Sequence, residues 1–102
     1  VNYRWPDVAG LNATLARTIL EAEAASPGVV RSNVGGWHSG TEFLAGASPG
    51  VPELRARLEA FVAELLRQVL DPVPAVLPPF RLEGWANVLR AGDYHALHSH
   101  PN

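Results

Sequence analysis

The stretch WANVLRAGDYHALHSHPN, Trp85 to Asn102, decides how this chain is read. From Arg81 to Arg90 the period is two, with Leu82, Gly84, Ala86 and Val88 on one side and Glu83, Trp85, Asn87 and Leu89 on the other, as in a β-strand. Ala91-Gly92-Asp93 interrupts the run with turn-forming residues, and Tyr94 to His100 resumes it, so the pattern predicts a hairpin of two strands. On a regular strand His98 and His100 project to one side together with Tyr94, while His95 faces away with Leu97. Pro101 has no N–H for a ladder and marks the strand's end or an edge.

Three of the 4 histidines therefore fall between His95 and His100. Two imidazoles on one strand face can grip a single cation, and a strand mouth leaves positions open for other ligands, as a catalytic metal requires. The same spacing also suits a plain polar strand pair. Without cysteine, a metal must be held by His, Asp or Glu, and at least one ligand beyond His98 and His100 is needed. His38, in a loop beside Trp37, reads better as a surface or pocket donor than as a ligand.

Upstream, RSNVGGWHSG (Arg31 to Gly40) reads as a hairpin or loop: Gly35-Gly36 permits a tight turn or close approach, and Trp37 tucks against the core. Helices flank it. Leu11, Leu15, Ile19 and Leu20 recur at helical spacing across Asp7–Ala25, with Asp7 as a cap and Ser26-Pro27-Gly28 as the stop. A second helix, Pro52–Leu70, carries an apolar face through Leu54, Leu58, Phe61, Leu65 and Val69. Its charged face, where Glu53 precedes Arg57 by four, is a solvated one. Asp71-Pro72-Val73-Pro74 and Pro78-Pro79 form the linker to the predicted hairpin.

At 102 residues the chain is one domain, 1–102, and 47% hydrophobic residues give it material for a core. A net charge of -2 with scattered arginines offers no footprint for nucleic acid, and no run approaches the roughly 20 apolar residues of a membrane span. No signal-peptide pattern opens the chain. Absence of cysteine fits a cytoplasmic protein, and absence of methionine reads as a piece of a longer product. Two strands alone leave an open sheet edge, which favours pairing with further residues or with a second copy in a homodimer.

SNVGGWHS (Ser32 to Ser39) followed by a helix and then WANVLRAGDYHALHSHPN resembles a bacterial family of Fe(II)/2-oxoglutarate-dependent oxygenases. The resemblance covers Ser32 to the end and implies an α+β fold: N-terminal helices packed on the first strands of a double-stranded β-helix, a cupin-like jelly roll that this chain does not complete. It implies Gly92 and Tyr94 in a turn before the metal strand, His98 as the first iron ligand and His100 as its partner, where wider relatives carry Asp or Glu. It also implies Fe(II) as cofactor, 2-oxoglutarate as cosubstrate, and hydroxylation of an unidentified small-molecule substrate. Trp85, Asn87 and Tyr94 would then face cosubstrate or substrate, and Gly36, Trp37 and His38 would form a pocket loop. The distal histidine and the arginine that pairs with the cosubstrate's far carboxylate have no counterpart in these residues. A cupin-like metal-binding protein without oxygenase activity and an inactive interaction fragment are the alternatives.

Overall fold

The computed structural model describes residues 3–101, so Asn102, the last residue of the motif, lies outside the described residues. Its order is helix α1 (Ala9–Ala25), strands β1 (Asn33–Val34) and β2 (Trp37–His38), a 3-10 turn (Phe43–Ala45), helix α2 (Val51–Val69), and strands β3 (Asn87–Val88) and β4 (Tyr94–His95). This is a small α+β fold of two helices and short antiparallel strand pairs.

Both helices form within two residues of the expected bounds, but their ends differ in detail. Val8, not Asp7, occupies the position before α1 and makes no side-chain cap; Asp7 itself takes a left-handed backbone, φ 53°. The buried stripe runs through Leu11 and Thr18, whereas Leu20 is turned toward solvent. Thr18 is accommodated inside because its hydroxyl donates to the Pro49 carbonyl at 2.7 Å, satisfying the polar atom and tying α1 to the entry of α2. Gly50, at φ 84°, turns the chain into α2, Val51 is wholly buried, and Pro52 sits in the first turn, where no N–H is missed. Glu53 near the N-terminus and Arg67 near the C-terminus both complement the helix dipole. Arg55 reaches back from α2 to donate to the carbonyls of Leu44 (2.6 Å) and Gly46 (2.9 Å), which secures the 3-10 turn against the helix.

The strands do not pair as the period predicts. β3 and β4 form no hairpin with each other. β1 pairs with β4 in the register Asn33↔His95 and Val34↔Tyr94, and β2 pairs with β3 in the register Trp37↔Val88 and His38↔Asn87. The two ladders follow one another along the same two chain segments, and between them Gly35-Gly36 lies opposite the five residues from Leu89 to Asp93. Ala91-Gly92-Asp93 is thus an outward bulge in a continuing segment. The local turn does form, with Asp93 N–H donating to the Arg90 carbonyl and the Asp93 carboxylate accepting from Arg90 N–H, both at 2.9 Å. It does not reverse the chain, because the edge that a hairpin would use is already taken by Asn33–His38.

The two glycines make this nesting feasible. Gly35 and Gly36 both take positive φ (69° and 68°), and a side chain at either would collide with Asp93 or with Leu89 and Val88. Arg81 to Ala86 runs extended beside the core with no ladder of its own; Gly84 accepts from Leu44 N–H at 3.1 Å, and Ala86 and Ser39 bond to each other twice. Around this crossing the core is Leu11, Trp37, Leu44, Val51 and Ala86.

The core is thin for the length of chain. The accessible surface is 7527 Å², against about 5,600 Å² for a folded monomer of this mass. The radius of gyration is 16.2 Å, where a compact domain of this length has about 13 Å. Large apolar side chains are exposed both along the strand segments, at Val30, Val34, Leu89, Tyr94 and Leu97, and at the end of α2 and in the linker, at Val69, Val73, Val76 and Phe80. Among the described residues no helix is long and apolar enough to cross a membrane.

Gly28 supplies a direct test of the packing. At φ 71° it lies under the Trp37 indole and the His38 carbonyl, both of which a methyl group would strike. Gly28→Ala is expected to lower unfolding free energy by about 2–4 kcal/mol through backbone strain and overpacking. Gly10→Ala, in open space on α1, is expected to raise it by about 0.5–1 kcal/mol. Urea unfolding of both variants checks the pair; equal effects would contradict the packing described.

Candidate functional site

The segment Trp37–Ser39 is buried at three consecutive positions and organises the site. Trp37 turns inward and donates its indole N–H to the Ser26 carbonyl at 2.9 Å, while the His38 carbonyl accepts from Val29 N–H at 2.8 Å. His38 points the other way from Trp37. Its Nδ1 lies 2.5 Å from the Ser39 carbonyl; a carbonyl can only accept, so Nδ1 carries the proton and Nε2 keeps its lone pair.

His38 opens onto a cavity of about 550 Å³. The same cavity is lined by Trp85, Arg31, Ser32, Thr41 and Ser99 and by all four histidines of the chain. Trp85 joins two of those imidazoles: its ring lies nearly parallel to His38 (centroids 5.7 Å apart, 20°) and to His100 (6.3 Å, 24°). Such offset near-parallel arrangements are favourable for aromatic pairs at these separations.

His98 and His100 converge, though not as strand neighbours, since regular pairing ends at β4 and the Ala96 N–H bond to the Ser32 carbonyl at 2.6 Å. Beyond it the chain bends. His98 Nδ1–H donates back to the Ala96 carbonyl at 2.8 Å, which leaves His98 Nε2 as the acceptor, 3.0 Å from His100 Nε2. A pair of imidazoles held this way is satisfied by one proton between the two nitrogens. It also suits a cation: ligands bound at right angles with metal–nitrogen bonds of about 2.1 Å stand about 3.0 Å apart. The backbone bond from His98 Nδ1 is the outer contact that orients metal-bound histidines generally. Among the described residues no three His, Asp or Glu side chains stand close enough together to hold one ion.

Of the residues singled out in the sequence, the cavity brings together His38, Trp85, His98 and His100. Trp37 packs inward, Gly36 lies against Leu89 and Val88, Asn87 is exposed on β3, and Tyr94 is exposed on β4 beside Val34; none of these lines the cavity. His95, placed by strict alternation on the far side, lines the cavity instead, its Nδ1 3.0 Å from the Ser32 hydroxyl. Alternation fails here because only Tyr94 and His95 are strand, and the bend after Ala96 brings His98 and His100 round to the side of His95. Arg31, Thr41 and Ser99 carry no spacing signal; they meet the histidines only through the β1–β4 and β2–β3 crossing.

One ion pair steadies this crossing from outside. Arg90, at the turn before β4, makes two bonds to the Glu23 carboxylate on α1, at 2.6 and 2.8 Å. These bonds hold the Glu23 carboxyl below its ordinary pKa, with desolvation opposing them and the arginine's charge adding to them. A carboxyl depressed in the folded state contributes stability above its unfolded pKa and loses it as pH falls through the folded value. Wild-type protein is therefore expected to lose stability on acidification through the lower carboxylate range, and Glu23→Gln to be less stable at neutral pH and flatter on that limb. Urea midpoints from about pH 7 to about pH 3 check this.

Comparison of the chain with protein-family models, with curated proteins and with solved structures returned no match.

Proposed function

We propose that this chain is the N-terminal part of a double-stranded β-helix oxygenase that uses Fe(II) and 2-oxoglutarate to hydroxylate a small molecule in the cytoplasm. The observation that carries the reading is the convergence of His98 and His100 Nε2 at 3.0 Å on the edge of the 550 Å³ cavity. The motif resemblance supports it. So do the exposed apolar side chains Val34, Leu89, Tyr94 and Leu97 along the strand segments, which further strands of a jelly roll would cover.

The residues present fit part of an iron site. Two neutral imidazoles suit Fe(II), and a set with open positions is what oxygen and cosubstrate need. His98 and His100 would hold the metal, with the remaining ligand and the cosubstrate's basic partner supplied by residues outside this sequence. Bound there, iron and 2-oxoglutarate would supply, together with O2, the oxidising power to hydroxylate a C–H bond, one oxygen atom passing to the substrate and the other to succinate as the cosubstrate loses CO2. The chain's own part is to orient and to exclude water: the Ala96 carbonyl fixes the His98 tautomer, and the Trp85 indole walls the cavity beside His100.

The test is anaerobic addition of Fe(II) and then 2-oxoglutarate to the natural polypeptide. A visible metal-to-cosubstrate charge-transfer band is expected, abolished by His98→Ala and by His100→Ala while the circular dichroism of both variants stays that of wild type. Metal retention without the band would favour a cupin-like protein of other chemistry, and no retained metal would defeat the reading.

A further inference from the structure

We propose that the cavity is an oxyanion site, in which Arg31 grips the carboxylate or phosphate head of a small acidic substrate. The inference takes the cavity to be a substrate pocket, as the oxygenase reading does, but it makes no use of iron. Its ground is the chemistry of the wall. The residues lining the cavity carry one guanidinium, one indole, three hydroxyls and four imidazoles, and of the imidazoles His38 and His98 already give their Nδ1–H to backbone carbonyls. No carboxylate lines the cavity, in a chain that has 10 acidic residues and only 8 basic ones. A wall with a guanidinium and hydroxyls but no fixed negative charge favours an anion rich in acceptor oxygens.

Arg31 is the one full positive charge on that wall, and it is held in reserve. Arg57, Arg67, Arg81 and Arg90 are each engaged by a glutamate, and Arg55 is committed to backbone carbonyls. Arg31 has only a long 3.4 Å bond from Nη1 to the neighbouring Val30 carbonyl. Its backbone, by contrast, is fixed: Arg31 N–H donates to the Asn33 side-chain oxygen at 2.7 Å, which anchors the base of the side chain just before β1. A planar fork on an anchored base matches a carboxylate or phosphate with two parallel bonds. Ser32 stands next to it. When His95 Nδ1 carries its proton toward the Ser32 oxygen, 3.0 Å away, the Ser32 hydroxyl proton is free for the ligand. The cavity volume of about 550 Å³ exceeds what an oxyanion alone fills, so the remainder of the molecule lies along Trp85.

The test uses metal-free protein, so that it stands or falls apart from the iron reading. Amide resonances are followed by two-dimensional NMR during titration with inorganic phosphate and, separately, with succinate. Saturable shifts are expected at Arg31, Ser32, Thr41 and Ser99, the tighter probe identifying phosphate or carboxylate as the preferred head group. Arg31→Gln is expected to weaken binding at least tenfold and Arg31→Lys to weaken it less, since an ammonium keeps the charge but loses the fork; Arg17→Gln, on the exposed side of α1, is expected to bind as wild type. The spectra themselves report that each variant is folded. Absence of saturable shifts at these four residues, or equal binding by wild type and Arg31→Gln, would overturn the proposal.

Discussion

The rest of the structure depends on how Trp37, His38 and Ser39 are held. Each of the three is buried, and besides local bonds they are secured from two distant parts of the chain: Ser26 and Val29 just after α1, and Ala86 just before β3. The Ser39 hydroxyl accepts from Ala86 N–H at 2.8 Å while Ser39 N–H donates to the Ala86 carbonyl at 2.9 Å. Buried polar groups left without partners are costly, and among the described residues every buried side-chain nitrogen or oxygen has a partner in this arrangement. That arrangement places the indole of Trp37 on the core side and the imidazole of His38 on the cavity side.

From this anchor the two short ladders extend in one direction and set the position of the tail. β1–β4 pairing carries the chain to His95 and Ala96, and the following bend, fixed by the His98 bond to the Ala96 carbonyl, swings His98 and His100 over the cavity. The site is thus built from three stretches, around Arg31–Thr41, at Trp85, and from His95 to His100, held by a handful of backbone bonds and by the Glu23–Arg90 pair outside. Little apolar burial supports it. His98 and His100 are exposed and Trp85 is 41% exposed. A site of this kind has its geometry set by hydrogen bonds, and the surface left open on the strand side is where additional strands would add stiffness and enclosure.

The cavity wall joins two ligand chemistries. Imidazole nitrogens with lone pairs, at His98 and His38, accept a cation or a proton, while Arg31 and the hydroxyls favour an anion.

By itself the sequence determined the helices and the chemistry available to the site. The period of Leu11, Leu15 and Ile19, the Ser26-Pro27-Gly28 stop and the Pro52 start each act within a few residues, so local geometry decides them. The close grouping of His98 and His100 was likewise legible, because two residues so near in the chain cannot stray far apart. Only the tertiary structure decided the strand partners and the site's membership. Ala91-Gly92-Asp93 carries the composition of a hairpin turn, yet whether a turn reverses the chain depends on which edge is free, and Asn33–His38, more than fifty residues earlier, had taken it. The same pairing brought His95 inside, left Tyr94 and Asn87 outside, and set Arg31 in the same cavity wall as the histidines. Alternation predicts faces only while a strand stays regular, and here the strand lasts two residues before the chain bends at the bond from His98 to the Ala96 carbonyl.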